Sequence, residues 1–237
     1  MLYFLIPLIL GLISLAIFLY FRVKEKRVIA VIIKGVTSLF FISTALVAWL
    51  TSSNPGNSLG VFVLIALFFG LLGDVFLDIK YITKKYDYLF TILGFFAFAI
   101  GHIFFTIGLF VNFFDFYASP LYLIFPIVMT SLLVVATLLM EKISAIRYEN
   151  MKPFVVIYGI FLFFTASIYC SASIQTGFQN ITVLLMFIGL ILFMASDLVL
   201  NNTYFAPGFA TPAFIIVNHV LYYIAQFLIA SSLFFLV

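Results

Sequence analysis

The stretch FFGLLGDVFLDIK, residues 68–80, decides how the chain is read. An apolar run leads into Asp74, resumes, and reaches Asp78 one helical turn later. A carboxylate in a bilayer-crossing segment costs at least a few kcal/mol by insertion scales, so such an acid needs a reason to be there. The first question is whether this run is a span at all.

Composition answers it. The chain has 237 residues, 66% hydrophobic and 8% charged, whereas a soluble domain carries about 25% charged residues. The chain cannot cover a water-facing surface and reads as a polytopic membrane protein. A bilayer crossing needs about 20 mostly apolar residues. Eight segments qualify, roughly 2–21, 28–51, 59–77, 88–112, 120–140, 153–172, 180–200 and 212–236. They are separated by turn and charge signals: RVKEKR, SSNPGNS, KKYD, the loop from Asp115 to Pro120, the run from Glu141 to Pro153, QTGFQN and NNTYFAPGFATP. The spans leave no room for a soluble unit, so residues 1–237 read as one membrane domain. The first 21 residues lack a basic start and an A-x-A site, and read as a retained span.

The eleven Lys and Arg residues fall on one side. Arg22, Lys24, Lys26 and Arg27 follow the first span, Lys80, Lys84 and Lys85 the third, and Lys142, Arg147 and Lys152 the fifth. Lys34 lies about six residues, or ~9 Å, into the second span from that same side. The opposite loops carry no Lys or Arg. The positive-inside rule then places both termini away from the cytoplasm. The net charge of +3 sits in short loops and span ends, so it indicates no nucleic-acid partner. Cys170 lies within a span and reads as a small core residue. The compact chain suits a bacterial cytoplasmic membrane.

Five ionisable residues lie at membrane depth: Lys34, Asp74, His102, Asp197 and His219. All but His102 share the layer next to the basic side. Span 8 adds His219, Tyr222, Tyr223 and Gln226 on one helical face, which must look into the bundle. Asn201 stands one turn beyond Asp197, and Gly70, Gly73 and Gly101 permit close helix approach or leave room for a ligand. GDVFLD echoes SDLVLN, and GHIFF echoes NHVLYY, which points to a parallel 4+4 repeat facing Asp74 toward Asp197. Asp78, Asp87 and Asp115 read as loop charges without a role. Lys34 either snorkels to the headgroups or pairs with an Asp. Two His and two Asp suit a metal by type, but no H-x-x-x-H spacing supports one, and no metal or cofactor is expected. Serine-hydrolase elbows, phosphate loops and CxxC pairs are absent from the sequence.

Lys34, GDVFLD at 73–78, GFFAFAIGHIFF at 94–105, LFMASDLVL at 192–200 and YYIAQFLIA at 222–230 together resemble the YhhN family of eight-span membrane proteins, over residues 28–231. Lys34, Asp74, His102, Asp197, Tyr222, Tyr223 and Gln226 match family motif positions. The family often has Tyr where this chain has Phe105, and Pro where it has Gly35. The resemblance implies a lysoplasmalogenase, which hydrolyses the vinyl ether of a lysoplasmalogen to a fatty aldehyde and a glycerophospho-headgroup. The substrate partner would be a lysophospholipid drawn from the bilayer.

The chemistry asks for an acid that keeps its proton, a carboxylate to stabilise an oxocarbenium ion, and a base for water, much as glycoside hydrolysis does. Asp74 and Asp197 fit the carboxyl pair. His219 and Tyr223 would orient water or the ether oxygen. Lys34, His102, Tyr222, Gln226 and Asn201 would bind the substrate. The same acids with a Lys also describe a proton-coupled carrier or lipid flippase, or a scaffold whose acids only lock helices together. Aldehyde release separates the enzyme from both.

Overall fold

The computed structural model describes residues 2–237. Eight helices are long and apolar enough to cross a membrane, and no strand occurs among the described residues. They are α1 (Leu5–Val23), α2 (Arg27–Leu50), α3 (Leu59–Ile79), α4 (Asp87–Asn112), α5 (Leu121–Ile143), α6 (Lys152–Gln175), α7 (Ile181–Phe205) and α8 (Pro212–Ser232). Local chemistry sets several ends. Asn180 and Thr211 cap α7 and α8 through their side chains, accepting from Val183 N at 3.1 Å and Phe214 N at 3.4 Å. Proline opens α6 and α8, where a missing N–H is harmless. The last carbonyls of α5 meet the Arg147 guanidinium, which donates to Glu141 O at 3.0 Å and Ser144 O at 3.0 Å.

Two helices run past their expected ends, with consequences for the site. α3 extends to Ile79, so Asp78 is a helical residue and not a loop charge. α7 extends to Phe205, so Asn201–Phe205 continue the helix instead of forming a loop. Asn and Thr there look like turn residues, but Asn202 Nδ2 donates to Leu198 O at 2.8 Å and Thr203 Oγ1 to Leu200 O at 2.8 Å, so their side chains bond back along the helix.

Six helices close a ring in which α2 packs on α3, α3 on α4, α4 on α6, α6 on α7, α7 on α8 and α8 on α2. α1 lies outside this ring against α2 and α8, and α5 lies outside against α6. α5 is correspondingly apolar on nearly all sides, with only Pro126 and Thr130 buried. Glycines set the tightest approaches. A Cβ on Gly101 would sit 3.0 Å from Ala66 O, and one on Gly189 would sit 3.0 Å from Ala225 O. Those gaps let α3 meet α4, and α7 meet α8, almost backbone to backbone. Because helices alternate in direction, the C-terminal ends of α1, α3, α5 and α7 and the N-terminal ends of α2, α4, α6 and α8 share one end of the bundle. That end holds every Lys and Arg.

Candidate functional site

The site grows from the C-terminal turns of α3. Asp74 and Asp78 are four residues apart, hence on one helix face, and that face looks into the bundle; each is only 2% exposed. Lys34 of α2 faces them, 5% exposed, with Nζ at 3.2 Å from Asp74 Oδ1 and 3.2 Å from Asp78 Oδ1. Lys34 therefore pairs within the bundle and does not snorkel. Arg22, from the last turn of α1, closes an ion pair on the other oxygen of Asp78. Its guanidinium also lies over the Tyr81 ring, 4.6 Å from the centroid. Two cations and two carboxylates sum to zero, the condition under which four charges can be withdrawn from water together.

Asp74 has further donors. Ser38 Oγ donates to its Oδ2 at 2.7 Å and Tyr222 OH at 2.8 Å. Behind them, Gln226 Nε2 donates to Tyr222 OH at 2.9 Å, and Tyr223 OH lies 3.1 Å from Ser38 Oγ and 3.2 Å from the Lys34 carbonyl oxygen. With a cation and two hydroxyl donors, the surroundings of Asp74 suit a carboxylate anion.

Asp197 of α7 is handled differently. Among the described residues its one protein donor is the Tyr158 hydroxyl of α6, and no cation pairs with it. Next to it, Asn218 Nδ2 donates to Ser196 O at 2.8 Å and Ser196 Oγ at 3.0 Å, fixing α8 on α7. His219 Nδ1 donates to Ile215 O at 2.7 Å, which fixes the tautomer and leaves Nε2 as an acceptor.

A cavity of about 270 Å³ joins these groups at the Lys and Arg end of the bundle. Arg22, Lys34, Asp74, Asp78, Asp197, His219 and Tyr222 line it, with Tyr81, Tyr204, Glu25 and Arg27 among its other walls. Desolvation raises the Tyr81 phenol above its ordinary value, which already lies well above neutral, so Tyr81 is a neutral hydroxyl on this wall.

The residues expected from sequence thus divide. Asp74, Asp197, Lys34, Tyr222 and His219 share the cavity. Tyr223 and Gln226 stand behind it: Tyr223 meets Ser38, itself a donor to Asp74, and the Lys34 carbonyl, and Gln226 meets Tyr222. Asn201 turns the other way: its Nδ2 donates to Tyr148 OH at 3.0 Å, and it lines a separate apolar cavity. His102 is 1% exposed amid Phe105, Tyr158 and Phe193, and neither ring nitrogen has a partner. Gly73 and Gly101 serve helix contact, and Gly70 leaves space for Gln226, whose Nε2 lies 3.0 Å from where a Cβ would stand. Sequence reasoning missed Arg22, Ser38, Asp78 and Tyr158. From sequence Asp78 reads as a loop charge, yet its spacing of four from Asp74 is the signal that places it on the same inward face. Among the described residues no group of three or more His, Cys, Asp and Glu stands close enough to hold a metal ion.

No curated protein and no solved structure matches the chain. The profile of the YhhN family matches residues 29–233, a stretch that includes every lining group from Lys34 to Tyr222, and the chain belongs to the YhhN family.

Proposed function

We propose that this protein is a membrane-embedded hydrolase that cleaves the vinyl ether bond of lysoplasmalogens. Family membership supports the reaction class. The observation that carries the reading is that Asp197 shares one cavity with Asp74 and Asp78, and of these three aspartates only Asp197 has no cation beside it among the described residues. With Arg22, Lys34, Asp74 and Asp78 already balanced, Asp197 is the carboxyl group best placed to hold a proton.

In this reading Asp197 transfers its proton to the vinyl carbon beta to the ether oxygen. The alpha carbon becomes an oxocarbenium ion, and the Asp74 carboxylate, held by Lys34, Ser38 and Tyr222, stabilises the positive charge. Water adds to the alpha carbon and its proton passes to Asp197, with His219 Nε2 orienting the water. The hemiacetal then collapses to a fatty aldehyde and the glycerophospho-alcohol, so Asp197 ends as it began. Tyr223 acts as a positioning residue through Ser38, and Gln226 through Tyr222.

We further place the Lys and Arg end at the cytoplasm, both termini opposite, and read the two halves as a parallel repeat. The order of helix contacts supports the repeat: α1 on α2, α2 on α3 and α3 on α4 match α5 on α6, α6 on α7 and α7 on α8. Lys34 with Tyr158, Asp74 with Asp197, and Asp78 with Asn201 are each separated by 123 or 124 positions.

The test is aldehyde release by purified protein in detergent from lysoplasmenylethanolamine, with and without EDTA. Release is expected from the wild type, to survive EDTA, and to vanish in Asp197→Asn. No release from folded wild type, together with proton-dependent lipid flux into liposomes, would replace the hydrolase by a carrier.

A further inference from the structure

Asp197 belongs to two cavities. The polar one lies toward α8. The second, about 60 Å³, lies between α5, α6 and α7, and Asp197, Leu200 and Tyr204 line both. Its other walls are mostly aliphatic and aromatic, among them Val134, Gly159 and Leu162, with Thr137 and Asn201 as polar exceptions, and Asp197 is its only charged member. α5 packs chiefly on α6, and the space opens between α5 and α7. Leu198 lines this space and is 50% exposed on the lipid-facing surface.

We propose that this cleft receives the first carbons of the single hydrocarbon chain of a lysophospholipid, admitted sideways from the bilayer, while glycerol and headgroup occupy the polar cavity. The assignment rests on the hydrolase reading above. A one-chain lipid has one boundary between its apolar and polar parts, and the two cavities meet at one boundary, formed by Asp197, Leu200 and Tyr204. The cleft has room for roughly four to six water-sized groups. That suits the start of one chain, with the remainder lying along α5 in lipid, and leaves no place for a second chain. The ether oxygen then falls on the polar side. The vinyl carbon that takes the proton falls on the apolar side, where water does not compete for it. Asp197 is the acid that reaches both.

The experiment uses a saturated 1-O-alkyl lysophosphoethanolamine, which has no vinyl ether to cleave, with a diazirine near the head of its chain. Wild-type protein in detergent is irradiated and the labelled peptides are mapped. Label is expected on α5, α6 and α7 around Val134, Leu162 and Leu198, and unlabelled lysolipid is expected to displace it. Label centred on α1 or α8, or spread over the lipid-facing surface without displacement, overturns the assignment. The measurement does not depend on turnover. Displaceable label in the cleft without aldehyde release would sink the hydrolase reading and keep the chain site. A second arm is Leu198→Trp, which narrows the mouth from the rim. KM is expected to rise about tenfold with kcat held within about twofold, and an unchanged KM would count against the cleft.

Discussion

The α2–α3 corner and the α6–α7 corner are built alike and charged differently. In the first, Lys34 of α2 holds Asp74 and Asp78 of α3, and Arg22 from the end of α1 completes the group. In the second, Tyr158 of α6 holds Asp197 of α7, and Asn201 one turn on meets Tyr148 from the segment after α5. Where one corner has four charges the other has one acid and three neutral polar groups. The first is a closed ionic network that ties three helices together. The second leaves a carboxyl group bonded but not neutralised, on the wall between a polar and an apolar cavity. In the proposed reaction, that difference separates a group that also fixes the bundle from a group that exchanges a proton.

The largest expected effect strikes that contrast directly. Asp197→Asn keeps an acceptor for Tyr158 but has no acidic proton. Aldehyde release is expected to fall about 10²–10⁴-fold, the range for losing a general acid, with the thermal midpoint in detergent little changed. Asp74→Asn is expected to lower both turnover and midpoint, because it strips Lys34 of a partner. If the two substitutions had the same profile in both assays, the division of labour between the corners would be wrong.

Next in size is the ionic network. Lys34→Met leaves Asp74 without a cation and Asp78 with Arg22 alone. Breaking one partner of a buried pair costs about 3–5 kcal/mol. Tyr158→Phe removes one neutral donor and is expected to cost about 0.5–1.5 kcal/mol. Denaturation of the two variants in the same micelles measures the ratio. Equal losses would show that the second corner is as tightly bound as the first.

Much of this arrangement is legible in the chain before folding. Eight apolar runs with polar breaks yield eight helices, because each span must satisfy its own backbone in lipid. The inward faces of α3 and α8 can be read from the spacing of Asp74 and of Tyr222, Tyr223 and Gln226. What escapes is what depends on a neighbour. Arg22 looks like any basic residue after a first span until Asp78 is known to be helical and inward. Tyr158 looks like one more aromatic among 33 Phe and 13 Tyr residues. Only the packing of α6 on α7 brings it to Asp197. Asn201 shows the opposite error. It shares a helix with Asp197 and lies one turn away, yet it reaches out to Tyr148 and not to the polar cavity.

The smallest effect sharpens the comparison where charge is absent altogether. His102 on α4 and Gln226 on α8 stand 124 positions apart, each one turn beyond an aromatic residue, Phe98 or Tyr222, that packs at the centre of the ring. Gln226 spends its amide on Tyr222, whereas both nitrogens of His102 are buried without a partner. An orphaned buried polar atom costs about 1–3 kcal/mol, so stability alone would place an apolar side chain at this position. The ring centroid of His102 lies 6.0 Å from that of Tyr158, the partner of Asp197, so a change at His102 reaches the acid through that ring. His102→Leu is therefore expected to raise the unfolding free energy by about 1–3 kcal/mol and to slow aldehyde release. A lowered thermal midpoint would mean that His102 is satisfied by a bound water or a substrate group and belongs to the polar network after all. A raised midpoint with unchanged turnover would remove it from the site and leave Tyr158 as the only group acting on Asp197 from that side.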